Sequence, residues 1–121
     1  MTRWKIVVAD DDDAVRKLLT LAIRSYGHET IEAVDGQNAV DLVMEHRPDA
    51  VFLDVLMPRL NGFDALARLR DLDYTGKTVV ITALTSTNSA ALETTARPDA
   101  MLAKPFRRQE VGDCLAALIA S

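Results

Sequence analysis

Short apolar runs alternate along this chain with stretches whose apolar positions recur every three or four residues. The first run, Ile6-Val7-Val8-Ala9, lies in a strand predicted over 5–9. Behind it Ala14, Val15, Leu18, Leu19, Ala22, Ile23 and Tyr26 form a stripe on one face of a helix. Asp12 or Asp13 is placed to cap its start, and Gly27 to end it in the left-handed conformation. Residues 28–33 alternate polar and apolar, as an edge strand does. Asp35-Gly36 then opens a helix carrying Ala39, Val40, Leu42 and Val43, which must stop before Pro48. A third strand is predicted over 49–53, a Pro, Asn and Gly loop over 57–62, and a helix over 63–71 with Phe63, Leu66 and Leu69 in register. A fourth strand follows over 77–81 and a fifth over 99–103. Residues 85–96 make a poor helix, because threonine, serine and asparagine side chains compete for its backbone hydrogen bonds. Val111, Cys114, Leu115, Leu118 and Ile119 stripe the last helix. Strands alternating with helices predict an α/β fold with a parallel sheet.

Several apolar runs end in polar residues suited to phosphate. Ile6-Val7-Val8-Ala9 leads into Asp10-Asp11, and Ala50-Val51-Phe52-Leu53 into Asp54. Thr78-Val79-Val80-Ile81 leads into Thr82, and Ala100-Met101-Leu102-Ala103 into Lys104-Pro105. In a parallel sheet these ends share one edge, where open α/β folds place their sites. A carboxylate there can attack phosphorus and form an acyl phosphate. Both partners are anionic, so a cation must lie between them. Asp10 and Asp11 could hold Mg²⁺, a hard ion that takes oxygen ligands, and the carbonyl of Leu56 is a further candidate ligand. Lys104 can meet one phosphoryl oxygen with its ammonium and Thr82 another with its hydroxyl. Taken singly, Asp12 and Asp13 read as helix caps, Asp54 as a turn cap, Thr82 as a strand residue and Lys104 as a loop lysine. Their coincidence at one edge carries the functional reading.

Composition narrows the class. The chain has 121 residues, 49% of them hydrophobic, which suits one packed domain over residues 1–121. A net charge of -4 disfavours a broad nucleic-acid surface. One cysteine, Cys114, allows no intrachain disulfide and suits a reducing compartment. No apolar run approaches membrane-spanning length, and the start lacks the pattern of a signal peptide. A cytoplasmic protein, with no membrane and no direct nucleic-acid contact, is expected.

On these residues the chain resembles the receiver domain of two-component response regulators. The resemblance covers nearly the whole sequence. It is carried by the acidic pair after the first strand, by Asp54 with Met57-Pro58 and Asn61-Gly62 downstream, by Thr82-Ala83, and by Lys104-Pro105-Phe106. It implies a doubly wound, flavodoxin-like sheet of five parallel strands in the order 2-1-3-4-5, with helices on both faces. It implies that Asp54 accepts a phosphoryl group from a sensor histidine kinase or histidine phosphotransfer protein in a Mg²⁺-dependent reaction. Asp10 and Asp11 then match the metal-site acids, Thr82 the switch hydroxyl and Lys104 the site lysine. The phosphorylated domain would switch a surface for a downstream protein, with a homodimer through the fourth helix, fifth strand and last helix as a further expectation.

Some positions depart from the family pattern. Met101 stands where an aromatic switch residue is usual, and a thioether cannot make a phenol's hydrogen bond. Ala96-Arg97-Pro98 replaces the usual Ala-Gly-Ala, which predicts a short or mobile fourth helix. Leu56 and Leu84, each two residues past a site residue, predict slow self-dephosphorylation because neither orients a water. Arg107-Arg108 opens the last helix against its dipole, as a solvated pair or a basic contact of the dimer face. Cys114 and Trp4 are expected in packing roles, and His28 and His46 on the surface.

Two rival readings belong to other classes. Asp10-Asp11-Asp12 contains the Asp-x-Asp of a haloacid-dehalogenase-like phosphatase, but the acidic pair that such an enzyme needs late in the chain is missing. A receiver-like interaction module that is never phosphorylated is the other. Dinucleotide binding has no support, since no glycine-rich turn follows the first strand.

Overall fold

The computed structural model describes residues 2–83 and 97–121. Strand β1 (Lys5–Ala9) leads to helix α1 (Asp13–Ser25), β2 (Glu29–Ala33) to α2 (Gly36–His46), and β3 (Ala50–Asp54) to α3 (Gly62–Asp71). Strands β4 (Lys77–Ala83) and β5 (Ala100–Lys104) and helix α4 (Arg108–Ala120) complete the described elements. The five strands form one parallel sheet in the order β2-β1-β3-β4-β5, as expected. The weak helix expected over 85–96, and Leu84 before it, lie outside the described residues.

Successive side chains of a strand face opposite sides of the sheet, so each strand feeds two cores. Val7, Val51, Leu53 and Val80 point to one side and pack with Val40 and Val43 of α2 and Phe63, Leu66 and Leu69 of α3. Ile6, Val8, Phe52, Val79 and Ile81 point to the other and pack with Leu19 and Ile23 of α1 and Val111, Leu115 and Leu118 of α4. Both faces of β3 are therefore covered, which explains its unbroken apolar run. The alternating β2 is the edge strand that its pattern predicted.

The helix ends follow the local chemistry. Asp12 caps α1, its carboxylate accepting from the N–H groups of Ala14 at 2.9 Å and Val15 at 3.2 Å. Gly27 follows the end of α1 at φ 92°, the left-handed value that glycine adopts without a Cβ clash. Asp35 caps α2, and Arg47 ends it one residue before Pro48. Asn61 caps α3 through a bond from Asp64 N–H at 2.9 Å. No described helix is long and apolar enough to cross a membrane.

Some expectations need correction. Leu18 was expected on the packed stripe of α1 but is 63% exposed, because the buried face runs through Arg16, Leu19, Thr20 and Ile23 instead. His28 is buried, not superficial: its Nδ1 accepts from Trp4 N–H at 3.0 Å. His46 is exposed, as expected. Thr82 and Lys104 lie within β4 and β5 rather than just beyond them. Cys114 is half-buried against the α1–α4 core, and burial pushes its thiol pKa up.

Candidate functional site

Strand register decides which side chains meet. Ala9 pairs with Leu53 across β1 and β3, so the next residues, Asp10 and Asp54, emerge side by side. Asp54 pairs with Ile81, and Thr82 and Ala83 pair with Ala103 and Lys104. All these positions are at the carboxyl ends of their strands. Lys104 is one strand beyond β4, and its long side chain spans the difference. Its Nζ lies 3.1 Å from Asp54 Oδ1 and 3.2 Å from Asp10 Oδ2. Carboxylate oxygens of Asp10, Asp11 and Asp54 lie within 4.8 Å of one another.

The cluster is graded in exposure. Asp10 is fully buried, Asp54 is 5% exposed, and Asp11 is open to solvent. Asp10 Oδ1 accepts from Asp12 N–H at 2.9 Å. Its Oδ2 has the Lys104 ion pair but no aligned hydrogen bond, although it is cut off from water. A buried carboxylate oxygen left so is costly and calls for a further positive partner. Burial first, and then the Asp10 charge, push the Asp54 carboxyl up to about 6, against the pull of Lys104. Burial alone would lower the Lys104 pKa. The Asp54 carboxylate, through its hydrogen bond and its charge, outweighs that together with Asp10, and the net direction is up. One ammonium thus serves two carboxylates, with a third beside them. The donor set is all oxygen, which suits a hard divalent cation such as Mg²⁺.

Thr82 is buried at the end of β4, and its Oγ1 donates to the carbonyl of Ala83 at 3.1 Å. Leu56 follows β3 in a bend, two residues past Asp54, and is 77% exposed. Met101 lies on β5 with 44% of its surface exposed. The loop after β3 is held tightly. Gly62 N–H donates to Val55 O at 2.9 Å, and a Cβ on Gly62 would stand 2.4 Å from the Asp54 carbonyl oxygen. Only glycine lets α3 start that close to the backbone of Asp54.

Arg108 is exposed to solvent, as one of its two expected readings had it, but it also has partners on α1. Its Nε donates to Ser25 Oγ at 2.8 Å, and its guanidinium stacks 4.5 Å from the centre of the Tyr26 ring. It ties α4 to the end of α1. Arg107 precedes α4, and Glu110 accepts from its N–H at 3.0 Å. Arginine has no acceptor to complete a capping box.

Sequence reasoning missed Arg16. Its side chain is 9% exposed and donates to the carbonyl of Asp10 at 2.8 Å. A signal existed: Arg16 is three residues before Leu19 and seven before Ile23, so it occupies the core-facing stripe. A charge in that stripe needs partners, and the acids flanking it supply them.

The model of the family described as "Response regulator receiver domain" matches residues 6–116. Response regulator MprA of Mycolicibacterium vanbaalenii is 38% identical over 115 residues, 95% of this chain and 50% of its own length. The DNA-binding response regulator MtrA of Mycolicibacterium smegmatis is 37% identical over 109 residues, 90% of this chain and 47% of its own. The chain spans about half the length of the curated relatives it matches. Among solved structures, the REC domain of AraT, a response regulator from Geobacillus stearothermophilus, superposes with a TM-score of 0.83 at 27% identity, covering 95% of this chain and 92% of that one. Chemotaxis protein CheY4 of Vibrio cholerae gives 0.87 at 23% identity over 97% and 99%, a likeness of fold.

Proposed function

The chain belongs to the response regulator receiver domain family of two-component signalling, and from that premise we propose that Asp54 is its phosphoryl acceptor. The observation that carries the proposal is the meeting of a nearly buried Asp54 with Lys104 at 3.1 Å and with the carboxylates of Asp10 and Asp11. An Asp54 oxygen attacks phosphorus as the P–N bond of a donor phosphohistidine breaks, and the electron pair of that bond returns to the imidazole. Lys104 passes from the Asp54 carboxylate to a phosphoryl oxygen, and Thr82 turns its hydroxyl toward another. Asp10, Asp11, Asp54 and the Leu56 carbonyl would hold Mg²⁺, whose charge offsets the repulsion between the carboxylate and the incoming phosphoryl group. Burial of Asp10 and Asp54 excludes water and strengthens each of these interactions.

The donor in this reading is a sensor histidine kinase or a histidine phosphotransfer protein, in the cytoplasm. Phosphorylation shifts a pre-existing equilibrium and alters a surface for a downstream partner, or a second copy of the chain. The expectation of no nucleic-acid contact finds no support in the comparisons, since the MtrA relative is DNA-binding by name. This chain's own contribution is proposed to be the phosphorylated switch.

The test is incubation with acetyl phosphate and Mg²⁺, followed by intact mass and mapping of the modified residue. One added phosphate on Asp54, lost in Asp54→Asn and on chelation of the metal, is the expected result. Unchanged labelling of Asp54→Asn would overturn the assignment. Turnover of a phosphomonoester that survives Asp54→Asn but not Asp10→Asn would point to the phosphatase chemistry instead.

A further inference from the structure

We infer that Arg16 is a positioning residue of the acidic site, setting the peptide between Asp10 and Asp11 and so the geometry in which their carboxylates meet a divalent cation. The inference rests on the Mg²⁺ reading above. The Arg16 guanidinium reaches three elements at once. Nη1 donates to Asp10 O at 2.8 Å at the end of β1, Nε to Glu32 Oε1 at 3.0 Å on β2, and Nη2 to Asp13 Oδ1 at 2.6 Å in the first turn of α1. Lys17 holds the other oxygen of Glu32 at 2.9 Å, so the acceptor itself is fixed.

The Asp10 carbonyl belongs to the planar unit that joins Asp10 to Asp11. Anchoring that oxygen fixes the plane from which both Cα atoms project. Asp12 N–H, on the far side of Asp11, is bonded to Asp10 Oδ1 at 2.9 Å, so the turn is held at both ends of Asp11. Asp11 is exposed and is the least constrained of the three acids by packing. A fixed backbone is then what keeps its carboxylate near the other two. The fork of an arginine suits this task, since one rigid plane supplies several donors in set directions.

The alternatives predict different signs. If Arg16 acted on the site only through its charge, removing it would leave the acidic cluster more negative and tighten cation binding. If it only fastened α1 to β2, its loss would lower stability and leave affinity unchanged. Positioning predicts weaker binding, as for other groups that orient metal ligands.

The experiment uses the full chain, first comparing wild type with Asp10→Asn by Mg²⁺ calorimetry. It then measures Mg²⁺ affinity and urea stability for Arg16→Met, Arg16→Lys and Glu32→Gln. Arg16→Met is expected to bind Mg²⁺ about tenfold more weakly, or worse. Glu32→Gln is expected to lose stability and keep the wild-type affinity. Where Arg16→Met does not fold, Arg16→Lys decides: it keeps the charge, cannot bond all three partners at once, and is expected to bind more weakly than wild type. Affinity equal to or tighter than wild type in the deciding variant overturns the inference, as does an equal loss of affinity in Glu32→Gln. A wild-type chain that binds no Mg²⁺, or binds it as well as Asp10→Asn, overturns the reading of the site itself, and the inference falls with it.

Discussion

Asp54 pays for its position. Its folded carboxyl, at about 6 against an ordinary 3.8, binds a proton more readily than the unfolded chain does. Between those values the native state holds the extra proton, so stability falls as pH rises through the window and the full cost stands at neutral pH. Asp54→Asn should therefore stabilise the metal-free protein at pH 7, by about 1 kcal/mol after solvent screening, and make little difference near pH 3. Urea unfolding at the two pH values measures it, and a variant less stable than wild type at pH 7 would contradict the assigned strain. Leu56 argues at the same scale. Its exposed, apolar side chain, two residues past Asp54, cannot orient a water, so Leu56→Asn should release phosphate from labelled protein faster than wild type. Decay of the acyl phosphate, followed by intact mass, checks this.

Among the elements, α3 is the one whose placement bears most closely on Asp54. The Cβ of a residue at 62 would collide with backbone, which cannot swing aside as a side chain can. Gly62→Val should cost about 2 kcal/mol and reduce labelling of Asp54, because α3 or the end of β3 must shift. Denaturant midpoints and phosphorylation yield report the two effects. The segment before β2 carries a pH dependence of its own. Burial, opposed by the Asp49 charge, lowers the His28 pKa below its usual 6.5. The unfolded chain then takes up the proton first, so stability should fall as pH drops through 6.5 and below. Thermal midpoints between pH 5 and pH 7.5 should show that slope, flattened in His28→Gln.

For the whole molecule, the alternation of strands and helices was legible because apolar runs and turn residues are local signals, while the sheet order came from the family resemblance. Asp10, Asp54 and Lys104 could be placed together from their strand ends alone, before any distance was known. Other features depend on relations that local signals do not carry. Arg16 was passed over: its place on the stripe of Leu19 and Ile23 was visible, but its partners at the end of β1 and on β2 were not. Leu18 looked like core because periodicity marks a stripe but not its width, and the covered sector is centred on Leu19 and Ile23. His28 looked polar and therefore superficial, yet the Trp4 amide gives its ring a partner indoors. The β4 and β5 ends were set one or two residues short, since the ladder to Lys104 continues past the last aliphatic residue.

The first and last helices are stapled by Arg108, Ser25 and Tyr26, and Thr2 and Ile119 line one surface hollow of about 250 Å³ beside Tyr26. The two ends of the described chain are thus neighbours. A short glycine-serine bridge between them, with new ends cut at the Asp73–Gly76 turn remote from the acidic cluster, should yield a circular permutant that still folds and still accepts phosphate on the same aspartate.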